Sequence, residues 1–200
     1  PTDFGINNQA KGIVWAKIHT TGASAHGAYP WDGDNALWKL NRILNRLHKA
    51  FPVPKKEAWK TTINLAKIAT PNDTNNKVPD AATANLDIRY IPTDSDTIVG
   101  RLTQLVGNDG HLEILLKEPS QYSDKKDPFI ASLSKATQKV TGITPKIIVK
   151  HGGSDVRHYT NQGSSAVTFG PTGAGLHTDN EWVSIKSLEI YCTILKHWLL

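Results

Sequence analysis

Between residues 12 and 118 the apolar positions alternate in blocks between a period of two and a period near 3.6. Residues 12–22, GIVWAKIHTTG, set Val14, Ala16 and Ile18 against Ile13, Trp15 and Lys17, the pattern of a strand with one more polar face. Leu37, Leu40, Ile43, Leu44 and Leu47 then recur at helical spacing, with Asp34 as the predicted N-cap and Pro52 and Pro54 as the stop. Residues 60–70 read as a second strand carried by Ile63, Leu65 and Ala69, and PNDTNNKVPD as a turn-rich loop. Residues 82–91 read as a third strand, with Ala84, Leu86, Ile88 and Tyr90 on one side and Asn85, Asp87 and Arg89 on the other. Ile98, Leu102, Leu105 and Val106 mark a second helix closed by Gly107, and residues 111–118 a fourth strand. The order β-α-β-β-α-β predicts a ferredoxin-like unit: one antiparallel sheet with both helices on one face. Such a sheet keeps edges that are either blunted or paired with another chain.

The remainder alternates differently. Residues 127–142 predict a helix with Asp127 as N-cap and Pro128 at its first position. PKIIVK is a short strand, SDVRHYTNQ a short helix and SSAVTFG another strand. The last sixteen residues form an amphipathic helix through Leu188, Tyr191, Leu195 and Trp198. Alternating α and β implies parallel-sheet packing, yet with too few strands for a doubly covered sheet. The expected class is therefore α/β, an α+β ferredoxin-like domain followed by part of an α/β domain. The expected division is residues 1–11 as a lead-in, 12–118 as the first domain and 119–200 as the second, with the boundary in EPSQYSDKKD. Exposed apolar surface is expected on the second domain.

Composition narrows the function classes. The net charge is +5 and the basic residues are scattered; the densest stretch, from Lys39 to Lys60, reads as a solvated face. No RNA-binding aromatic signature or zinc-finger spacing accompanies it, so nucleic acid is not an expected partner. No apolar run approaches the roughly 20 residues that span a bilayer, so no membrane association is expected. The single cysteine, Cys192, rules out an intrachain disulfide and points to a reducing compartment, the cytoplasm; its expected role is that of a small buried hydrophobe. The chain contains no Met and opens on PTDFGINNQAKG, so it is expected to be a piece of a longer protein.

Three glycine-bearing loops hold the polar groups suited to chemistry: ASAHGAYP with His26; KHGGSDVRHY with Ser154, Asp155 and Arg157; and GPTGAGLHTDNEWV with His177, Asp179, Asn180 and Glu181. A serine triad of Ser154, His177 and Asp155 or Asp179 is one possibility, although GGSD lacks the G-x-S-x-G elbow. A metal site with His177 as an imidazole ligand is another, although no H-E-x-x-H is present and a hydrolytic zinc needs at least three protein ligands. A hydrogen-bonded loop histidine is the third.

Four segments, GASAHGAYPWDGDNAL, NKVPDAATANLDIRY, GGSDVRHY and GPTGAGLHTDNEWV, occur in an order that resembles the M20 family of zinc metallopeptidases and amidohydrolases, which includes dipeptidases, carboxypeptidases, aminoacylases and desuccinylases. The resemblance covers nearly the whole chain. It implies a lid, or dimerisation, domain plus the C-terminal part of a catalytic domain, and a homodimer through the lid. It implies His177 as a metal ligand and His26 as a catalytic donor that reaches the partner subunit's active site to bind the carbonyl oxygen. Asn76, Arg89, Ser154 and Arg157 resemble substrate-binding residues, with Arg89 suited to a carboxylate. Asn180 and Glu181 are expected to brace the His177 loop. The implied cofactor is zinc, two ions in the complete enzyme, and the implied substrate a small peptide or N-acyl amino acid.

Two departures matter. The family's H-x-D pair, bridging aspartate, Glu-Glu pair and last acidic ligand precede the position matched by Pro1, so these 200 residues retain one metal ligand and are expected to be inactive alone. Gly153 and Gly173 also stand where desuccinylases tend to place Thr and Asn, which favours a dipeptidase- or carboxypeptidase-like substrate. The alternative is a non-catalytic dimerisation or binding module with the same fold.

Overall fold

A computed structural model describes residues 1–200. The chain divides into two compact units, Gly12–Glu118 and a second made of Pro1–Lys11 with Pro119–Leu200.

The first strand, β1 (Ile6–Ala10), belongs to the discontinuous unit, and the chain then enters the inserted one. That unit runs β2 (Gly12–Thr21), α1 (Ala36–Ala50), β3 (Thr62–Ala69), β4 (Ala81–Tyr90), α2 (Ile98–Val106) and β5 (His111–Glu118). Its sheet has the order β3-β4-β2-β5, antiparallel throughout. This is the strand order of a split β-α-β unit, as the alternation predicts. Val14, Ala16 and Ile18 of β2 and Ala84, Leu86, Ile88 and Tyr90 of β4 are buried with Leu40, Ile43 and Leu47 of α1 and Ile98, Leu102 and Val106 of α2 in one cluster. Each large aliphatic side chain so buried contributes about 1.5–3 kcal/mol. The Tyr90 hydroxyl donates to the Glu118 carbonyl at 2.6 Å, so its polar end is satisfied inside the core. Lengthwise, α1 is tied to the turn before β5: Arg46 donates to the Leu105 and Val106 carbonyls, and Arg42 and Arg46 both bind Asp109.

One expected boundary moves. The N-cap of α1 is Asn35, not Asp34: Asn35 Oδ1 accepts from Leu37 N at 2.9 Å and Trp38 N at 3.2 Å. Asp34 is held outside the helix by reciprocal backbone bonds with Ala23, both 2.9 Å, and its carboxylate pairs with Lys39.

In the second unit β1 is the centre of a three-stranded sheet, antiparallel to β6 (Gln121–Tyr122) and parallel to β7 (Ile147–Lys150). The polar segment INNQA gave no strand signal, yet Ile6, Asn7 and Asn8 are buried. Between β6 and β7 lies α3 (Pro128–Thr141), capped by Asp127, whose carboxylate accepts from Phe129 N at 2.8 Å. It is followed by α4 (Val156–Asn161), the hairpin β8 (Gly173–Ala174) and β9 (Trp182–Val183), and α5 (Ile185–Leu199), capped by Ser184. Ile6, Ile130, Leu133, Ala136 and Ile194 form the core, with Ile190 and Trp198 packed on it.

Two expectations fail here, and a third is met in part. Residues 164–170 make no strand, only an isolated bridge between Thr168 and Asn7. The fully buried positions of α5 are Ser187 and Ile194, while of the expected stripe Tyr191, Leu195 and Trp198 are half-buried, Trp198 against the core, and Leu188 is exposed. Cys192 is exposed, not buried, since it lies off that stripe. Exposed apolar side chains in this unit include Phe129, Ile143, Tyr159, Trp182 and Ile185. No helix is long and apolar enough to cross a membrane.

Candidate functional site

The loop after β2 is built on backbone bonds to the strand entry of β4. Gly22 N donates to Asp80 O at 2.8 Å, Val78 N to Ala25 O at 2.8 Å and Gly27 N to Asn76 O at 2.6 Å. Ser24 Oγ donates to the Asp80 carboxylate, which with nearby Lys77 holds that carboxyl below the usual range. The chain is therefore fixed on both sides of His26, while the imidazole itself is exposed. Ala28 N–H donates to His26 Nδ1 at 3.1 Å. With Nδ1 acting as acceptor, the ring's donor is Nε2–H. Small neighbours explain the loop's path: a Cβ on Gly27 would lie 3.1–3.2 Å from the backbone of Asn76.

The structure thus brings His26 and Asn76 together by their backbones, through a bridge between His26 and Lys77. The Asn76 side chain is exposed, and in the same loop Asn72 Nδ2 donates to Thr74 O at 2.7 Å. Arg89 lies on the open sheet face between Ile13 and Thr62, and its Nε and Nη2 bind Asp87 at 2.9–3.2 Å. Only its Nη1 edge is left for a ligand.

In the other unit, Ser154 Oγ contacts Thr168 Oγ1 at 3.3 Å and Val156 N at 3.4 Å, and neither is an imidazole. A serine triad therefore has no geometric basis. Arg157 is largely buried, with Nη1 3.5 Å from Asp155 Oδ1. His177 occupies the tip of the β8–β9 hairpin with φ +61°, in the left-handed region where a non-glycine residue costs roughly 1–3 kcal/mol. The turn is held by Thr178, whose N and Oγ1 donate to Gly175 O at 3.0 and 2.8 Å, and by Glu181 N on Thr178 O at 3.2 Å. Gly175 has φ +76°, and a Cβ there would lie 2.5 Å from Asn180 O. The bracing expected of the Asn180 and Glu181 side chains thus comes from their backbones and from Thr178, a residue the sequence reading passed over.

The His177 imidazole is exposed and has no internal hydrogen bond, which suits a ligand to a metal outside this hairpin. No group of three or more His, Cys, Asp or Glu side chains is placed to hold a metal ion. The full donor set of a hydrolytic zinc is not among these residues.

Residues 8–112 match the family described as the peptidase dimerisation domain, M20_dimer. The chain belongs to the M20 peptidase family. It is 28% identical to a succinyl-diaminopimelate desuccinylase of Granulibacter bethesdensis over 94% of its own length and 53% of that protein's. It is 27% identical to succinyl-diaminopimelate desuccinylase 1 of Alteromonas mediterranea over 92% and 51%. Among solved structures, the aminopeptidase PepT of Bacillus cereus has a TM-score of 0.80 at 18% identity, covering 100% of this chain and 55% of that one. The M20 family metallo-carboxypeptidase Sso-CP2 of Sulfolobus solfataricus has a TM-score of 0.62 at 16% identity, over 97% and 58%. The chain shares the fold of the matching part of both structures. The chain spans about half the length of the curated relatives it matches.

Proposed function

We propose that this M20 chain is the dimerisation domain and C-terminal catalytic segment of a zinc-dependent hydrolase that cleaves the amide bond of a small peptide or an N-acyl amino acid. The observation that carries the reading is His26: an exposed imidazole with Nε2–H free, on a loop fixed by backbone bonds, inside the family's dimerisation domain.

In the complete enzyme His26 donates Nε2–H to the carbonyl oxygen of a substrate held by the partner subunit, as negative charge builds there. A donor fixed in advance toward a developing oxyanion lowers the barrier without reorganising at the moment of reaction. His177 supplies one metal ligand; bound zinc would polarise the amide carbonyl and activate water. Arg89 offers Nη1 to a substrate carboxylate while Asp87 fixes the rest of the fork. Asn76 lies beside the donor, and Ser154 and Arg157, both partly buried in the other unit, contact substrate in the complete enzyme. Asn180 and Glu181 keep the His177 turn in shape through their main chain. The 200 residues alone hold too few ligands to hydrolyse anything.

The dimer uses the β3 edge and α1. β3 pairs only with β4, leaving its other edge open, and Leu65 and Ile68 on β3 and Trp38 on α1 are exposed apolar groups of the same unit. A second copy joined there lets each His26 serve the other subunit.

The test uses a complete polypeptide carrying these residues, with zinc, against dipeptides, N-acyl amino acids and an N-succinyl amino acid of the kind named by the desuccinylase relatives. At least one class is hydrolysed, and chelation abolishes the reaction. His26→Ala lowers kcat by about 10²–10³ with KM little changed. No hydrolysis of any class, or a His26→Ala variant as fast as the parent, refutes the reading.

A further inference from the structure

The His26 loop carries an aromatic series that the proposed chemistry leaves unused. The Tyr29 ring lies 5.7 Å from the His26 imidazole, centroid to centroid, at an interplanar angle of 53°. Trp31 meets Tyr29 edge-on, with centroids 5.8 Å apart and an angle of 77°. Tyr29 is 52% exposed and Trp31 74%. Nothing in their own unit buries these rings, so they contribute little to its core.

The backbone between them is equally specific. Tyr29 N donates to His26 O at 2.8 Å, and Asp32 N to Tyr29 O at 3.1 Å, where Pro30–Asp32 form a single 3-10 turn. One of these bonds ties Tyr29 to the His26 carbonyl and the other holds the turn that carries Trp31. One bond, Ala28 N to Nδ1, fixes which ring atom is the acceptor. With small residues on both sides of His26 in sequence, the Tyr29 ring is the aromatic group that meets the imidazole. An exposed imidazole without such a neighbour samples several χ1 rotamers, and only one of them aims Nε2–H at a given oxygen.

We propose that Tyr29 is a positioning residue for His26: its ring, backed edge-on by Trp31, holds the imidazole in one rotamer with Nε2–H directed outward. The inference rests on the oxyanion role proposed above for His26. Tyr29 acts through its ring and not its hydroxyl, because the hydroxyl has no partner and the contact is ring to ring. An aromatic pair of this kind corresponds to between about twofold and tenfold in a rate that depends on it.

Two measurements test this. In the complete enzyme, Tyr29→Ala lowers kcat by about two- to tenfold with KM unchanged, and Tyr29→Phe restores the lost rate. The double variant Tyr29→Ala with His26→Ala is no slower than His26→Ala alone, because the effect passes through the imidazole. Multiplicative losses in the double variant, a change confined to KM, or a Tyr29→Phe variant as slow as Tyr29→Ala overturns the proposal. If His26→Ala itself is without effect, the oxyanion role fails first, and that result is read separately. The second measurement needs no activity. In the 200-residue chain, the His26 Hα–Hβ couplings report a single rotamer in the parent and in Tyr29→Phe, and averaged values in Tyr29→Ala with the other resonances unmoved. Unchanged couplings in Tyr29→Ala overturn the proposal even where the rate falls.

Discussion

Replacing Gly22 by alanine places a methyl group against main chain that has nowhere to go. A Cβ at Gly22 would lie 1.8 Å from Asp34 O, 2.9 Å from Asp34 C and 3.1 Å from Ala36 N. Carbon and oxygen normally approach to about 3.3 Å, so one strand of the loop must retreat by roughly 1.5 Å. That movement breaks bonds held from both sides. Gly22 N donates to Asp80 O at 2.8 Å, and Ala23 and Asp34 exchange two bonds of 2.9 Å next to the N-cap of α1. Loss of two such bonds costs about 2 kcal/mol, and the overpacking adds about 1–3 kcal/mol. The expected destabilisation is about 3–5 kcal/mol, a large part of the roughly 5–15 kcal/mol available to a domain. Urea unfolding followed by tryptophan fluorescence and circular dichroism measures it. Gly100→Ala serves as the opposite control: a Cβ there meets nothing within 4 Å, and the position lies within α2. That substitution stabilises by about 0.5–1 kcal/mol. A Gly22→Ala cost below about 1 kcal/mol, against an error of about 10–15% in such extrapolations, refutes the argument that this contact fixes the His26 loop.

Further outcomes follow from the same geometry. In the proposed dimer, Ile68→Glu, which places a charge at the exposed edge of β3, yields monomer in sedimentation velocity, whereas Phe129→Glu in the other unit does not. Asn35→Ala removes the side chain that accepts from Leu37 N and Trp38 N, and lowers stability by about 1 kcal/mol in urea; Asp34→Ala costs less. Asp109 sits between Arg42 and Arg46, whose hydrogen bonds hold its carboxyl below the usual range. A depressed folded-state pKa adds stability above the ordinary aspartate value of about 3.9 and loses it as the pH falls through the lower folded value. Asp109→Asn is therefore less stable than the parent at neutral pH, and the gap in urea midpoint closes as the solution is acidified below that range.

The inserted unit was largely legible because its side chains report their own surroundings. In β2 and β4 every second residue faces the helices, so Val14, Ala16, Ile18, Ala84, Leu86, Ile88 and Tyr90 announce the strands without reference to anything distant. The cap of α3 was legible for a similar reason: Asp127 and Pro128 act within a few residues of themselves. The candidate residues were legible as types. Two histidines among glycines and short polar side chains stand out, and the order of their segments resembles one family.

Tertiary structure decided what depends on a partner far along the chain. INNQA becomes a buried central strand because β6 and β7, more than 100 residues later, supply its hydrogen bonds, whereas residues 164–170, more apolar, find only the bridge to Asn7. Packing against α3 buries Ile194 of α5 fully and leaves Cys192 in solvent, a distinction the amphipathic pattern does not carry. The cap of α1 moves from Asp34 to Asn35 because Ala23 takes the Asp34 backbone. The meeting of His26 with Asn76 and the left-handed turn at His177 likewise arise from pairing and closure, whereas Arg89 binds Asp87 two residues away on the same strand face. Sequence periodicity records which face of an element is apolar; the entropy of closing a long loop is recovered only when a complementary surface exists, and that surface is specified by the whole chain.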